Sequence, residues 1–108
     1  MNNIPKKLKD EILSDPFYKR CCITGVLSTN EKVEWHHNFI YAGRQLQEKW
    51  CILPIAEKIH KNIDKYLDQC DRIMLNRATD EQLKKYSKCV DLIAKRDWLN
   101  KKYGSLRH

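Results

Sequence analysis

The sequence predicts an α+β fold, and three features of its patterning lead there. Apolar residues recur at three- and four-residue steps near the N-terminus and again beyond residue 56, the period of a helix. Between those stretches, Val33-Glu34-Trp35-His36 alternates like a half-buried strand, and Trp50-Cys51-Ile52-Leu53 is a short apolar run closed by Pro54. The order helix, β-hairpin, helix, helix fits a single domain spanning 1–108, since 108 residues support one modest core.

Taken in order, Pro5 suits the first turn of a helix, and Leu8, Ile12 and Leu13 supply its apolar stripe before Asp15-Pro16 ends it. Residues 17–24 are mixed and β-compatible, with Gly25 as a turn. Residues 38–49 contain Gly43 and read as a loop between the two strands. From Ala56, the spacing of Ile59, Ile63, Leu67, Cys70 and Met74 marks a helix. Thr79 and Gln82 form a capping box for a last helix running to Tyr103, with Gly104 as its stop. On that helix Leu83, Tyr86, Val90, Ile93 and Ala94 make the stripe expected to bury. Cys89, Leu92, Leu99 and Tyr103 form a second apolar patch, suited either to a homodimer or other protein partner or to packing within one subunit.

Charge is unevenly placed. The net charge is +7, yet residues 21–64 hold five basic and five acidic side chains, so the excess lies in the flanks. A basic surface attracts polyanions through counterion release, which makes DNA the leading partner. Lys84, Lys88, Lys95 and Lys102 recur along one side of the last helix, a stripe that could follow phosphates or simply face solvent. No segment approaches the roughly 18 apolar residues of a membrane span, and the N-terminus lacks a signal-peptide core. No membrane partner is therefore expected. Five cysteines without a regular framework read as reduced thiols in a cytoplasm, and without a Cys-x-x-Cys pair no structural zinc is expected.

The informative chemistry lies between residues 36 and 64. Adjacent strand residues face opposite sides, so of His36 and His37 one imidazole can bind a metal while the other points toward substrate. His60 and Asp64 are four apart, a spacing that brings two ligands onto one helix face. A histidine pair alone is usually surface or core filler, and His-x-x-x-Asp is more often a surface polar pair. Both together on a strand–loop–strand–helix frame point to a metal site. Trp35, Phe39, Tyr41 and Trp50 flank the hairpin and are expected to pack a core rather than stack on bases.

The stretch VEWHHNFIYAGRQLQEKWCILPIAEKIHKNID resembles the HNH nuclease family, especially its small phage and prophage members. The resemblance implies a ββα-metal core over residues 21–64, flanked by an N-terminal helix and a basic helical extension over 65–108. It makes His36 a metal ligand, His37 the general base, His60 a second ligand and Asp64 a further one. One divalent ion is implied, Mg²⁺ first, with Mn²⁺, Ni²⁺ or Zn²⁺ as alternatives. Two departures stand out. Cys51 occupies the place of the family's central Asn, and a thiol poorly replaces an amide, leaving Asn38 or Gln45 to fill that role. Asp64 stands where relatives carry His, and a carboxylate suits a hard ion.

The implied activity is hydrolysis of DNA phosphodiester bonds, by nicking or double-strand cleavage, in the cytoplasm of a bacterial host. Imidazole titrates near pH 6.5 as a class, which suits a base that must be neutral to take a proton from water. Arg44, in the loop, is a candidate phosphate clamp or an ordinary exposed arginine. A second expectation is a DNA- or protein-binding module on the same scaffold with cleavage reduced or lost, Cys51 being its symptom.

Overall fold

Two antiparallel strands, β1 (Val33–His37) and β4 (Ile52–Ala56), organise the chain. The computed structural model describes residues 4–88 and 90–104. Before β1 come α1 (Lys6–Leu13) and a 3-10 turn (Pro16–Lys19). Between the paired strands lie β2 (Ile40–Tyr41), β3 (Arg44–Gln45) and a second 3-10 turn (Lys49–Cys51). After β4 follow α2 (Glu57–His60), a third 3-10 turn (Ile63–Tyr66), α3 (Leu67–Arg77), α4 (Asp80–Tyr86) and α5 (Leu92–Gly104). Among the described residues no helix is long and apolar enough to cross a membrane.

The strand register explains a proline that the sequence suggested as a stop. Pro54 lies inside β4, opposite Trp35. Backbone bonds from Glu57 to Lys32 and from Asn38 to Cys51 flank the ladder and set its phase. Counting inward, His36↔Leu53 and Glu34↔Ile55 are the hydrogen-bonded pairs, so Trp35↔Pro54 is a non-hydrogen-bonded pair. Pro54 therefore loses no ladder bond for lack of an N–H. All five residues of β4 are buried, which is why it reads as a continuous apolar run rather than an alternating one.

Alternation along β4 divides the core. Leu53 and Ile55 face a cluster built from Cys70, Met74 and Leu75 of α3, Leu83 of α4, and Leu92 and Leu99 of α5. Ile52 faces the smaller cluster of Leu8 and Ile12 from α1 with Tyr18. Each fully buried Ile or Leu contributes about 1.5–3 kcal/mol, so β4 is the main hydrophobic anchor. Tyr18 secures the strand's entry, its hydroxyl 2.6 Å from the Lys49 carbonyl and 2.7 Å from that of Ile52.

Several expectations need correction. Leu13 is 58% exposed and takes no part in the α1 stripe. Residues 17–24 begin with a 3-10 turn instead of a strand, because the Asp15 carboxylate accepts the Phe17 N–H at 2.9 Å and starts the turn at Pro16. The 38–49 loop contains the β2–β3 hairpin, whose two turn residues Ala42 and Gly43 both have positive φ, 53° and 79°. The helix expected from Ala56 is broken after His60, where the Asn62 side chain donates to the Lys58 carbonyl.

The last helix is also two helices. The Thr79–Gln82 capping box opens α4 as expected. The Ser87 hydroxyl then donates to the Leu83 carbonyl and accepts the Leu92 N–H, while Asp91 accepts the Ala94 N–H and starts α5 anew. The break lets both apolar faces contribute to the core. Leu83 is buried as expected, with Tyr86 and Ile93 packed against the core cluster, and Leu92 and Leu99 enter too, whereas Val90 is 54% exposed. The patch suggested for a partner is thus largely used within the subunit, and Cys89 lies outside the described residues.

Candidate metal centre

Alternation on β1 sends Glu34 and His36 to the face covered by α2 and α3, and Trp35 and His37 to the other. His60 ends α2, directly after the strand, and its ring is inclined 69° to that of His36. His36 Nδ1 lies 3.2 Å from His60 Nε2. The outer nitrogen of each ring has a partner of fixed polarity. His60 Nδ1 is 2.8 Å from a carboxylate oxygen of Glu34, an acceptor only, so this nitrogen carries the proton. His36 Nε2 is 3.1 Å from Asn38 Oδ1. That amide's orientation is set by its other end, where Asn38 Nδ2 donates to the Asp71 carboxylate at 3.0 Å. His36 Nε2 is therefore also protonated.

It follows that the two nitrogens facing each other both present lone pairs. Such an approach is repulsive unless a cation, a proton or a metal ion, lies between them. Two nitrogens bound to one ion at about 2.1 Å stand about 3.0 Å apart at a right angle and about 3.4 Å apart at the tetrahedral angle. The observed separation falls inside that interval, so His36 and His60 fit a single metal ion. Burial, and then the neighbouring His60, lower the pKa of His36 and favour its neutral, ligating form. The Glu34 carboxylate is held below its usual range chiefly by its hydrogen bond to His60. Carboxylate–histidine pairs of this kind orient metal ligands.

The other expected site residues are placed differently. His37 is 6% exposed; its Nε2 lies 3.1 Å from Gln47 Oε1, and its Nδ1 is buried without a hydrogen-bond partner. Asp64 is exposed on the third 3-10 turn and lines a groove of about 600 Å³ with Leu67, Asp68, Arg72 and Tyr103. Among the described residues no group of three or more His, Cys, Asp and Glu side chains is gathered as a metal site. Arg44 is exposed beside the β2–β3 turn.

The lysine stripe does not lie on one helix. Lys84 belongs to α4, Lys88 to the connection, and Lys95 and Lys102 to α5. Lys95 pairs with Asp71 at 2.9 Å and Lys102 with Asp68 at 3.8 Å, while Lys84 and Lys88 are exposed. Through Asp71 and Asn38, Lys95 is tied to His36, so the stripe is not independent of the histidine site.

Cys51 is buried in the core, where desolvation pushes its thiol pKa far up. It serves as an apolar filler. The Asn38 backbone N–H donates to the Cys51 carbonyl at 2.8 Å, a bond open to any residue but proline, while the Asn38 side chain is engaged with His36 and Asp71. Gln45 is exposed on β3 and plays no such part. Sequence reasoning missed Glu34, Gln47 and Asp71. Glu34 was findable, standing two residues before His36 and so on the same strand face. The four described cysteines, Cys21, Cys22, Cys51 and Cys70, are free thiols. Comparison with known proteins gives no match: no family model, curated protein or solved structure is similar to this chain.

Proposed function

We propose that the protein is a metal-dependent endonuclease of the HNH type, its ββα-metal core made by β1, β4 and α2, acting on DNA. The observation that carries this reading is the pair of facing acceptor nitrogens, His36 Nδ1 and His60 Nε2, at 3.2 Å. These two residues would hold the ion. Imidazole ligands suit Zn²⁺ or Ni²⁺ better than Mg²⁺. A divalent ion there supplies electrostatic stabilisation to a phosphate and its leaving oxygen.

The residues around it have definable tasks. Glu34 and Asn38 orient the two imidazoles. Gln47 accepts the His37 Nε2 proton, which leaves Nδ1 of His37 as the basic atom able to take a proton from water. An unpaired buried acceptor costs about 1–3 kcal/mol, and such costs persist where a site uses the group. Arg44, Lys84 and Lys88 are among the exposed cations available to phosphates.

A second reading has one observation in its favour: His37 is nearly buried, and its Nδ1 is shielded from solvent without a hydrogen-bond partner. On that reading the scaffold binds DNA or a protein and does not cut. A plasmid-nicking assay with Zn²⁺, Ni²⁺, Mn²⁺, Mg²⁺ and chelator separates the two. The nuclease reading expects relaxed plasmid with at least one ion and none with chelator. Intact plasmid with every ion, together with a DNA mobility shift, favours the binding module.

A further inference from the structure

Beyond the two histidines, a line of polar groups runs into α5 and has chemical direction. At its outer end Lys95 Nζ can only donate, and it lies 2.9 Å from Asp71 Oδ2. The Asp71 carboxylate can only accept, and its Oδ1 receives the Asn38 amide N–H at 3.0 Å. Asn38 must then turn its oxygen toward His36 Nε2, at 3.1 Å. Each link fixes the next, and the last fixes where the imidazole proton sits.

We propose that Asp71, held by Lys95, is a positioning residue that keeps the proton of His36 on Nε2 and leaves Nδ1 open toward His60 for a cation. The metal role rests on the reading given under Proposed function, but the proton placement is a property of the metal-free protein. Lys95 comes from α5 and Asp71 from α3, so docking of the C-terminal helix becomes part of the histidine site. A purely structural role explains less, because a partly exposed Lys–Asp pair adds little to stability and does not require the amide and imidazole to be aligned behind it.

Replacing the carboxylate by an amide makes the strongest test. In Asp71→Asn, the new amide offers its oxygen to Lys95 and its NH₂ to Asn38. Asn38 then flips, its NH₂ meets His36 Nε2, and the imidazole proton moves to Nδ1, where it blocks the cation position. Long-range ¹⁵N NMR of the metal-free protein at about pH 8, where imidazole is neutral, reads this directly. The wild type is expected as the Nε2–H tautomer of His36 and Asp71→Asn as the Nδ1–H tautomer. Zn²⁺ affinity by calorimetry should fall about 10- to 100-fold in Asp71→Asn and about tenfold in Lys95→Met, with Lys95→Arg restoring it.

The outcomes separate this inference from the metal reading. Tautomer inversion in Asp71→Asn without Zn²⁺ binding by the wild type keeps the positioning role and removes the metal. Wild-type Zn²⁺ binding with an unchanged tautomer and affinity in Asp71→Asn overturns the positioning role and leaves the metal site. If Asp71→Asn does not fold, Asn38→Ala cuts the same link within the loop. Undiminished Zn²⁺ affinity there overturns the proposal, and a fall of tenfold or more supports it.

Discussion

His36 and His37 are neighbours in β1, yet the two faces of the strand give them opposite surroundings. His36 is half-buried between α2 and α3, with both ring nitrogens beside polar groups and a proton position dictated from Lys95 inward. His37 is almost wholly buried, has one partner in Gln47, and leaves Nδ1 facing nothing that can donate to it. A nitrogen lone pair aimed at another lone pair calls for a cation. A buried lone pair without a partner is an unmet acceptor that calls for a proton donor. The same residue type is thus set in two different environments, decided by which side of the strand it occupies.

The largest expected effects break one side at a time. His60→Ala removes one of two facing nitrogens and should lower Zn²⁺ affinity by more than the hundredfold typical of outer-partner changes. Calorimetry that gives wild-type affinity would remove His60 from the site. His37→Ala should leave that affinity in place while cutting plasmid nicking about a hundredfold or more, the usual contribution of a general base. Equal nicking rates in the two proteins would show that another group takes the proton.

Stability sharpens the same contrast. His37→Phe exchanges a buried ring with an unpaired nitrogen for one without, and the loss of Gln47's partner is made good by solvent because Gln47 is exposed. Urea unfolding should show a gain of about 1 kcal/mol. His36→Phe should show a loss, since it strands the Asn38 oxygen and a nitrogen of His60. A destabilised His37→Phe variant would mean that His37 is held by packing the hydrogen-bond pattern does not describe.

How far this was legible in the sequence depends on range. The first strand, the capping box at Thr79 and the candidate histidines follow from local period and spacing. The second strand, expected over residues 50–53, is Ile52–Ala56 because Lys49–Cys51 form a 3-10 turn. Breaks within helical periods were not visible, because Asn62 and Ser87 act through side-chain bonds to backbone that compete with the helix only once it is placed. The break after His60 matters most, since it puts Asp64 on a separate 3-10 turn, where it lines the groove bordered by Tyr103. Asp71 and Lys95 were unreadable as site residues because their tie to His36 depends on how α3 and α5 dock, which no local pattern encodes.

A smaller effect should appear with acid, away from the histidines. Asp15 accepts the Phe17 N–H and lies 3.1 Å from Lys49 and 3.3 Å from Arg77, joining the N-terminal segment to α3. Its carboxyl pKa is lowered, first by the Phe17 hydrogen bond and then by those cations. A depressed folded pKa gives stability that is present above the unfolded value, near pH 3.9, and lost as pH falls through the folded value. Thermal melts of the wild type should therefore lose midpoint below about pH 4 more steeply than Asp15→Asn, which lacks that carboxylate. Parallel pH profiles would assign the acid sensitivity to other groups.

The smallest expected effect concerns the lysines, and it distinguishes the two halves of the stripe. Lys84 and Lys88 are exposed and face no carboxylate within ion-pair distance among the described residues, whereas Lys95 and Lys102 are engaged with Asp71 and Asp68. A cation already paired releases fewer counterions on meeting a phosphate, because part of its charge is neutralised before binding. Replacing Lys84 and Lys88 together by Gln should flatten the log–log salt dependence of DNA binding by up to about two units, roughly one for each phosphate no longer neutralised. Lys102→Gln should change that slope by clearly less than one. Fluorescence anisotropy across a salt series measures both. If Lys102→Gln flattens the slope as much as a free lysine does, Asp68 releases it on binding and the stripe works as a whole. If neither variant moves the slope, DNA is held by Arg44 and the N-terminal lysines instead.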